Sequence, residues 1–356
     1  MKQVLLCGVA LCAFVATPAM AADSAEGVKL KLGGYFKGYV SYVSQDDSTS
    51  SIRNVDILRA TEVYFDGSTK LDNGLTVGAH IEANADVGDG FSVDESYAFF
   101  SGDWGRINFG GKDGAAYMIQ VAAPSADKDV DGVSQKIQPF NFAADGITVG
   151  ETDYDQNISL KADKITYLTP VMSGFQAGVS YTPEADDSSR ATTGNDNDDN
   201  DADPSSDVWD LAVRYQGDIA EDTKLTLGGA YTVAQVETGT AEDRQAWNIG
   251  AVLGFKGFNV GASYQNDDEG DDNDDVDYVA VGVDYTMGDY VLGASYYNKN
   301  DDVGTEIDTD RYTVGVSYKA GPGISFRGSV EYLEADVTGG DDFDGTAVLV
   351  GTSIDF

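Results

Sequence analysis

Apolar and polar residues alternate one by one along much of this chain, beginning near residue 28. One segment has Trp209, Leu211, Val213 and Tyr215 at every second position, separated by Asp210, Ala212, Arg214 and Gln216. A second segment, near the carboxyl end, alternates Ile324, Phe326, Gly328 and Val330 with Ser325, Arg327 and Ser329. A repeat of two residues places apolar side chains on one face of a β-strand and polar side chains on the other. The pattern therefore predicts strands with two chemically different faces.

Sixteen segments show this pattern, and most are near the length of about 9 to 11 residues that a tilted strand needs to cross a bilayer. They cover residues 28–43, 52–66, 74–86, 91–101, 105–112, 162–169, 174–181, 207–216, 223–236, 244–255, 258–265, 276–286, 290–297, 310–319, 323–334 and 345–356. Short turns rich in Gly, Asn and Asp alternate with long polar loops, which is typical of an outer-membrane barrel. A soluble β-sandwich also has alternating strands. Tyr residues near strand ends and the terminal Phe356 favour a barrel whose apolar face contacts lipid.

The first 21 residues have the features of a secretory signal peptide. Lys2 supplies a positive amino-terminal region, a short apolar stretch follows, and residues 19–21 (Ala-Met-Ala) match a small-x-small cleavage site. Cys7 and Cys12 both lie in this segment, so the mature chain contains no cysteine. We therefore predict an exported protein with one barrel domain, residues 22–356, that folds without disulfide bonds.

The charge of the chain excludes further classes of protein. There are 22 Lys and Arg residues against 61 Asp and Glu residues, which gives a formal net charge of −39. A chain this acidic does not bind nucleic acid through a basic face.

His80 is the only histidine, so little imidazole is present for catalysis or metal binding. An outer-membrane enzyme stays an alternative only through His80 and the nearby Glu82, and we expect no catalysis.

Several segments, in their order along the chain, resemble those of Gram-negative general porins, particularly the alphaproteobacterial ones. They are residues 28–39 (VKLKLGGYFKGY), 65–79 (FDGSTKLDNGLTVGA), 105–111 (GRINFGG), 165–170 (ITYLTP), Gly174 with Phe175, and Phe356. The resemblance spans essentially the whole mature chain. It implies an all-β fold: a 16-stranded antiparallel transmembrane β-barrel with short periplasmic turns, long extracellular loops and a long third loop folded into the lumen.

The resemblance also implies a location and an activity. It implies a homotrimer in the outer membrane of a Gram-negative bacterium, in contact with lipid and lipopolysaccharide. Such a pore carries water, ions and small hydrophilic solutes by passive diffusion, with no required cofactor. Outward Gly34 and Gly38 on the first strand would permit close approach of a neighbouring subunit. The chain departs from the family at Glu62 and Gly111, near positions where members commonly carry arginines.

The segment 113–161 is far longer than an ordinary connection and carries apolar residues, so it should pack on another part of the protein. The resemblance identifies it as the constriction loop of the pore. Candidates for its acidic edge are Asp127, Asp129, Asp131 and Asp145. Candidates for the basic side are Lys37, His80, Arg214 and Arg311, which the alternation directs toward the lumen, and Lys112 and Lys164, which flank the loop. Opposed charges across a pore create a transverse field that orients dipolar solutes.

The acidic loops predict modest cation selectivity, because negative charge at the mouth raises the local concentration of cations. The Asp-rich runs near residues 195–201 and 267–275 could also bind Ca²⁺, although neither has the spacing of an EF-hand loop. A secreted acidic Ca²⁺-binding adhesin or coat protein therefore stays an alternative. Such a protein does not need the alternating apolar residues that end in Phe356.

Overall fold

The computed structural model describes residues 27–46, 52–87, 90–142, 152–185, 205–236, 242–270 and 275–356. Within these ranges the chain forms sixteen β-strands and one short helix, α1 (Ala115–Met118). The strands are β1 (Lys29–Gln45), β2 (Val55–Lys70), β3 (Thr76–Val87), β4 (Gly90–Gly102), β5 (Gly105–Gly111), β6 (Asp163–Leu168), β7 (Phe175–Glu184), β8 (Ser205–Ala220), β9 (Thr223–Val236), β10 (Arg244–Phe255), β11 (Phe258–Asp267), β12 (Val276–Met287), β13 (Tyr290–Asp301), β14 (Ile307–Gly321), β15 (Ile324–Val337) and β16 (Phe343–Asp355). The predicted signal peptide, Asp145 and the acidic run 195–201 lie outside the described residues.

Every strand pairs antiparallel with its sequence neighbours, and β1 pairs with β16 to close a barrel. The closure extends to the last residue, because the backbones of Gly34 and Phe356 exchange two N–H···O hydrogen bonds of 3.0 Å. A closed barrel has no unpaired strand edge, which satisfies the backbone inside a bilayer. Among the described residues, no helix is long and apolar enough to span a membrane.

The outer face of the barrel is apolar and exposed. On β8, Trp209, Leu211 and Val213 expose 49%, 64% and 51% of their surface, whereas the intervening Asp210 and Ala212 point inward and are buried. An apolar surface that continues around all sixteen strands is far larger than the exposed apolar patches of soluble proteins. This surface therefore faces lipid. The fold predicted from the alternation, a transmembrane barrel and not a sandwich, is confirmed.

Aromatic rings form two belts on the outer face. Near the short-turn rim, Phe258 stacks on Tyr285 with ring centroids 4.2 Å apart, and Tyr290 stacks on Tyr318 at 4.7 Å. Near the long-loop rim, cross-strand pairs include Tyr181 with Trp209, Trp247 with Tyr264, and Tyr296 with Tyr312. Amphipathic rings at these two levels are typical of the two membrane interfaces.

The predicted number of strands is confirmed, but several predicted ends are wrong. The segment predicted at 207–216 is Ser205–Ala220, and the segment predicted at 310–319 is Ile307–Gly321. The alternation of apolar residues marks only the part of a strand that faces lipid, and pairing continues beyond it.

The two glycines of β1 make room for rings of the same chain. A Cβ at Gly34 would lie 3.1 Å from the ring of Phe356, and one at Gly38 would lie 2.7 Å from the ring of Phe36. The part of these glycines in the approach of a neighbouring subunit stays a prediction.

Candidate pore constriction

The connection between β5 and β6, which we call L3 (residues 112–162), folds into the barrel. Ala115 of α1 and Ile119 pack in a buried cluster with Leu168 of β6 and Ala212 of β8. The backbone N–H of Ala115 also donates a 2.7 Å hydrogen bond to the hydroxyl of Ser180 on β7. The apolar residues at the start of L3 therefore pack on the inner wall, as the sequence predicts.

Inward-facing glycines form the wall on which L3 continues. A Cβ at Gly282 would lie 1.9 Å from the carbonyl oxygen of Pro124, and one at Gly250 would lie 2.3 Å from that of Val121. Only a residue without a side chain permits these approaches. From β7 to β14, the glycines at which a Cβ would lie within 3.3 Å of L3, which we call the glycine track, are Gly178, Gly228, Gly250, Gly261, Gly282, Gly293 and Gly315. Gly345 of β16 likewise leaves room for Phe140 of L3. L3 therefore lies close against the wall from β7 to β14.

Beyond the glycine track, two aspartates of L3 are paired with cations of β1 and β15. Arg327 contacts Asp127 and Asp129 at 2.7 Å each, and Lys37 contacts Asp129 at 3.0 Å. The hydroxyl of Tyr39 donates to both carboxylates, at 2.9 and 3.2 Å. Burial raises the pKa of Asp127 above its ordinary value, although the positive charge of Arg327 acts in the opposite direction. We call this group the β15 clamp.

A second clamp joins L3 to β14. Arg311 is buried and contacts the carboxylate of Asp131 at 2.7 Å. The same guanidinium donates to the backbone carbonyl of Thr152 at 2.9 Å, so it joins the outgoing and returning parts of L3. Ser295 of β13 donates a further hydrogen bond to Asp131. These charge-assisted contacts hold the middle of L3 on the wall.

Lysines hold the base of L3. Lys164 donates to the backbone carbonyls of Leu160 and Ala162, at 2.7 and 2.9 Å. Burial alone would raise the pKa of Asp113, but the charges of Lys112 and Lys161 lower it below its ordinary value. Burial likewise opposes the charge of Lys112, yet neighbouring carboxylates raise its pKa above the usual range. The two ends of L3 are thus fixed by opposite charges.

The inner face of β2–β4 borders the open lumen. It contributes the carboxylates of Glu62, Asp66, Glu82 and Glu95 to the lining of the lumen. Among the described residues of this face that line the lumen, His80 is the one basic residue. Glu82 lies directly across from Glu95 in the strand register. This part of the wall therefore concentrates negative charge beside the opening. We call it the acidic wall.

L3 reaches the acidic wall through lysine side chains. Lys112 contacts both carboxylate oxygens of Glu95 at 2.8 Å, and Lys136 lies 3.5 Å from Glu62. Lys161 pairs with Asp94 on β4. The loop side of the narrow region is thus basic and the wall side acidic.

An open space of about 1600 Å³ lies between L3 and the barrel wall. Its lining contains nearly equal numbers of acidic and basic side chains, and Arg214 and Lys224 lie on the side of β8 and β9. A sixteen-stranded barrel is too wide for side chains to fill, so this space holds water. The charges are balanced overall but separated across the lumen.

The structure places the candidate residues in three settings. Asp127 and Asp131 are buried against the wall, whereas Asp129 also lines the lumen. His80 lies between Asp66, at 2.8 Å, and Glu82, at 3.4 Å. The basic candidates Lys37 and Arg311 belong to the clamps, Lys112 and Lys164 hold the base of L3, and Arg214 lines the lumen. Their part in ion selection stays a prediction.

Two residues central to this geometry were not among the residues predicted from the sequence to form the constriction. Arg327 forms the β15 clamp, and Glu82 lies in the middle of the acidic wall. The alternation places both on polar strand faces, which is the one signal that could have found them. It does not show which of the many polar positions L3 covers.

Two groups of side chains could hold a cation among the described residues. Ligand atoms of His80, Glu82 and Glu95 lie within 4.8 Å of one another, as do those of Glu62, Glu82 and Asp94. Lysines already contact Glu95 and Asp94, which weakens both groups as sites for a divalent ion. Of the acidic run 267–275, Asp267 and Glu269 are engaged by Arg244, at 2.8 and 2.7 Å.

Proteins of similar sequence occur in Rickettsia. The chain is 23% identical to an uncharacterized protein of Rickettsia conorii, over 94% of this chain and 86% of that protein. An uncharacterized protein of Rickettsia prowazekii is 24% identical over 68% of this chain and 71% of its own length.

Solved porin structures are similar in fold. An anion-selective porin from Comamonas acidovorans covers 92% of this chain and all of its own, with a TM-score of 0.61 and 17% identity. A mutant of Rh. blastica porin has the same coverage and TM-score, with 19% identity. The sequence model of the family described as Gram-negative porin matches residues 8–338. This chain belongs to that family, and it forms an outer-membrane channel for passive diffusion.

Proposed function

We propose that this protein is a homotrimeric, modestly cation-selective pore for ions and small hydrophilic solutes, and that it catalyses no reaction. The observation that supports the selectivity is the position of L3. Its aspartates pair with cations of β1, β14 and β15, and the acidic wall borders the open lumen. Lysines of L3 engage Glu62 and Glu95 of the acidic wall, but Glu82 has no Lys or Arg nitrogen within 4.0 Å among the described residues. Cations entering the narrow region therefore pass beside carboxylates, while the clamps engage much of the positive charge of the wall.

The selectivity should be modest because the lining as a whole is nearly neutral. The fold does not set its sign, since the similar Comamonas acidovorans structure is described as an anion-selective porin. The net charge of −39 adds an attraction for cations at longer range. That attraction should weaken at high salt, because the Debye length falls from about 30 Å at 0.01 M to about 3 Å at 1 M.

The test is the reversal potential of single channels in a KCl gradient, measured at several ionic strengths. We expect K⁺ preference that grows as the salt concentration falls. Preference for Cl⁻ at low salt would contradict the proposal, because the cations of L3 and of β8 and β9 would then dominate.

Membership of the porin family supports a proposal for the assembly state and the surroundings. We infer a trimer in contact with lipid and lipopolysaccharide, which heat-modifiable migration on gels would reveal. A single species that stays in solution without detergent would favour the adhesin alternative. Ca²⁺ at the acidic loops is a further proposal, and thermal melting that does not respond to Ca²⁺ would contradict it.

A further inference from the structure

A row of rings crosses the acidic wall at the narrow part of the lumen. The ring centroids of Tyr35 and Tyr64 are 6.2 Å apart, those of Tyr64 and His80 5.8 Å, and those of His80 and Tyr97 5.1 Å. All four side chains line the open lumen. The wall therefore combines aromatic faces with carboxylates, and this pairing attracts ammonium groups through the ring quadrupole as well as through charge.

The protein's own lysines occupy both ends of this row. The ammonium group of Lys37 lies 4.0 Å from the centroid of Tyr35 and 3.0 Å from the carboxylate of Asp129. At the other end, Lys112 lies 5.5 Å from the centroid of Tyr97 and 2.8 Å from the carboxylate of Glu95. Each end thus shows a primary ammonium group beside one ring and in contact with a carboxylate, and Lys112 also has Asp113 at 3.8 Å.

In the middle of the row a carboxylate again lies beside a ring. Glu82 lies directly across from Tyr64 in the strand register, where paired side chains are neighbours. Among the described residues, Glu82 has no Lys or Arg nitrogen within 4.0 Å, and its close basic partner is His80 at 3.4 Å. The Glu82 side chain is 14% exposed and lines the lumen, so a solute can reach it.

We propose that Glu82 and Tyr64 form a transient binding subsite for the ammonium group of small organic cations that pass through the pore. This inference rests on the proposed cation selectivity and names the class of solute that the acidic wall favours. A primary alkylammonium ion would repeat the contacts that Lys37 and Lys112 make at the ends of the row. A hydrated K⁺ ion benefits from the carboxylate but less from the ring, so the subsite distinguishes the two.

The test uses n-butylammonium, which is the lysine side chain without its backbone. Its permeability relative to K⁺ is measured from bi-ionic reversal potentials of the purified full-length channel. We expect Glu82→Gln to lower this ratio roughly two- to fivefold and Tyr64→Leu to lower it to a similar extent. Glu82→Asp, which keeps the charge, should retain most of the preference. Asp284→Asn is the matched control, because Asp284 is a lumen-lining carboxylate of β12.

Heat-modifiable migration and unitary K⁺ conductance identify variants that fold. The inference is overturned if folded Glu82→Gln and Asp284→Asn channels show the same ratio of butylammonium to K⁺ permeability. The inference is also overturned if the permeability ratio of butylammonium to K⁺ falls in Glu82→Gln but does not change in Tyr64→Leu. Charge alone would then explain the preference for butylammonium. A channel that prefers Cl⁻ in KCl but still favours butylammonium over K⁺ through Glu82 would contradict the proposed selectivity and support the subsite.

Discussion

Removal of Arg327 should release the middle of L3 from the wall. The side chain contacts Asp127 and Asp129 at 2.7 Å each, and in Arg327→Ala the second of these keeps Lys37 at 3.0 Å. Asp127, which is 2% exposed, would lose the one Lys or Arg within 4.0 Å among the described residues. Breaking a buried ion pair costs about 3–5 kcal/mol. Protonating a carboxyl of ordinary pKa at pH 7 costs about 4 kcal/mol, so neutralisation offers little relief at that pH.

The same reasoning sets the pH dependence of the effect. At pH 5 the protonation of a carboxyl of ordinary pKa costs only about 1.5 kcal/mol. Burial raises the pKa of Asp127 and lowers this cost further, so the variant can bury a neutral carboxyl and keep L3 near its place. The barrel should persist, because its strands pair independently of Arg327. We therefore expect folded channels with greater open-channel noise and altered conductance at pH 7.5, and with a smaller defect at pH 5.

Planar-bilayer recordings at the two pH values test this prediction. Lys128→Ala is the matched control, since Lys128 is a lumen-lining cation of L3 with no carboxylate oxygen within 4.0 Å among the described residues. The double variant Arg327→Met with Asp127→Asn removes both charges. Its open-channel noise should therefore fall part of the way back to that of the unsubstituted channel. Equal noise in Arg327→Ala and Lys128→Ala at pH 7.5, or a defect that grows at pH 5, would refute the reasoning.

Two further predictions concern the position and the base of L3. Gly282→Val should displace L3 into the lumen and lower the unitary conductance, because its Cβ would lie 1.9 Å from the Pro124 carbonyl oxygen; Gly321→Val, where a Cβ meets open space, should conduct normally. Asp113 and Lys112 at the base of L3 should keep their charges across mildly acidic and neutral pH. The lowered pKa of Asp113 contributes stability above the unfolded value of about 3.9, and this is lost only as pH falls through the lower folded value. The raised pKa of Lys112 contributes stability below about 10.4 that is lost as pH rises through the higher folded value. Conductance recorded against pH should therefore change at these two extremes, and an acidic change that persists unaltered in Asp113→Asn would contradict this account.

The sequence by itself determined the barrel. A period of two is a local property of each strand, so the apolar residues of β8 and β15 could be assigned to one face without knowing their neighbours. Sixteen such segments, separated by alternating short and long connections, leave closure in a bilayer as the arrangement that buries no polar backbone. The inward direction of Lys37, His80 and Arg311 followed from the same local rule.

Only the tertiary structure decided where L3 lies and which charges remain beside the lumen. Asp127 meets Arg327 across 200 positions of sequence, and no local pattern distinguishes that arginine from other polar residues. The residues of the glycine track come from seven different strands. In the sequence, each of them looks like an ordinary small residue of a strand. The sequence predicted an acidic loop edge opposite a basic wall. The structure places Asp127 and Asp131 of L3 against Arg327 and Arg311 of the wall and buries these pairs, because paired charges are stable in the narrow space between loop and wall. It also leaves Glu82 beside the water.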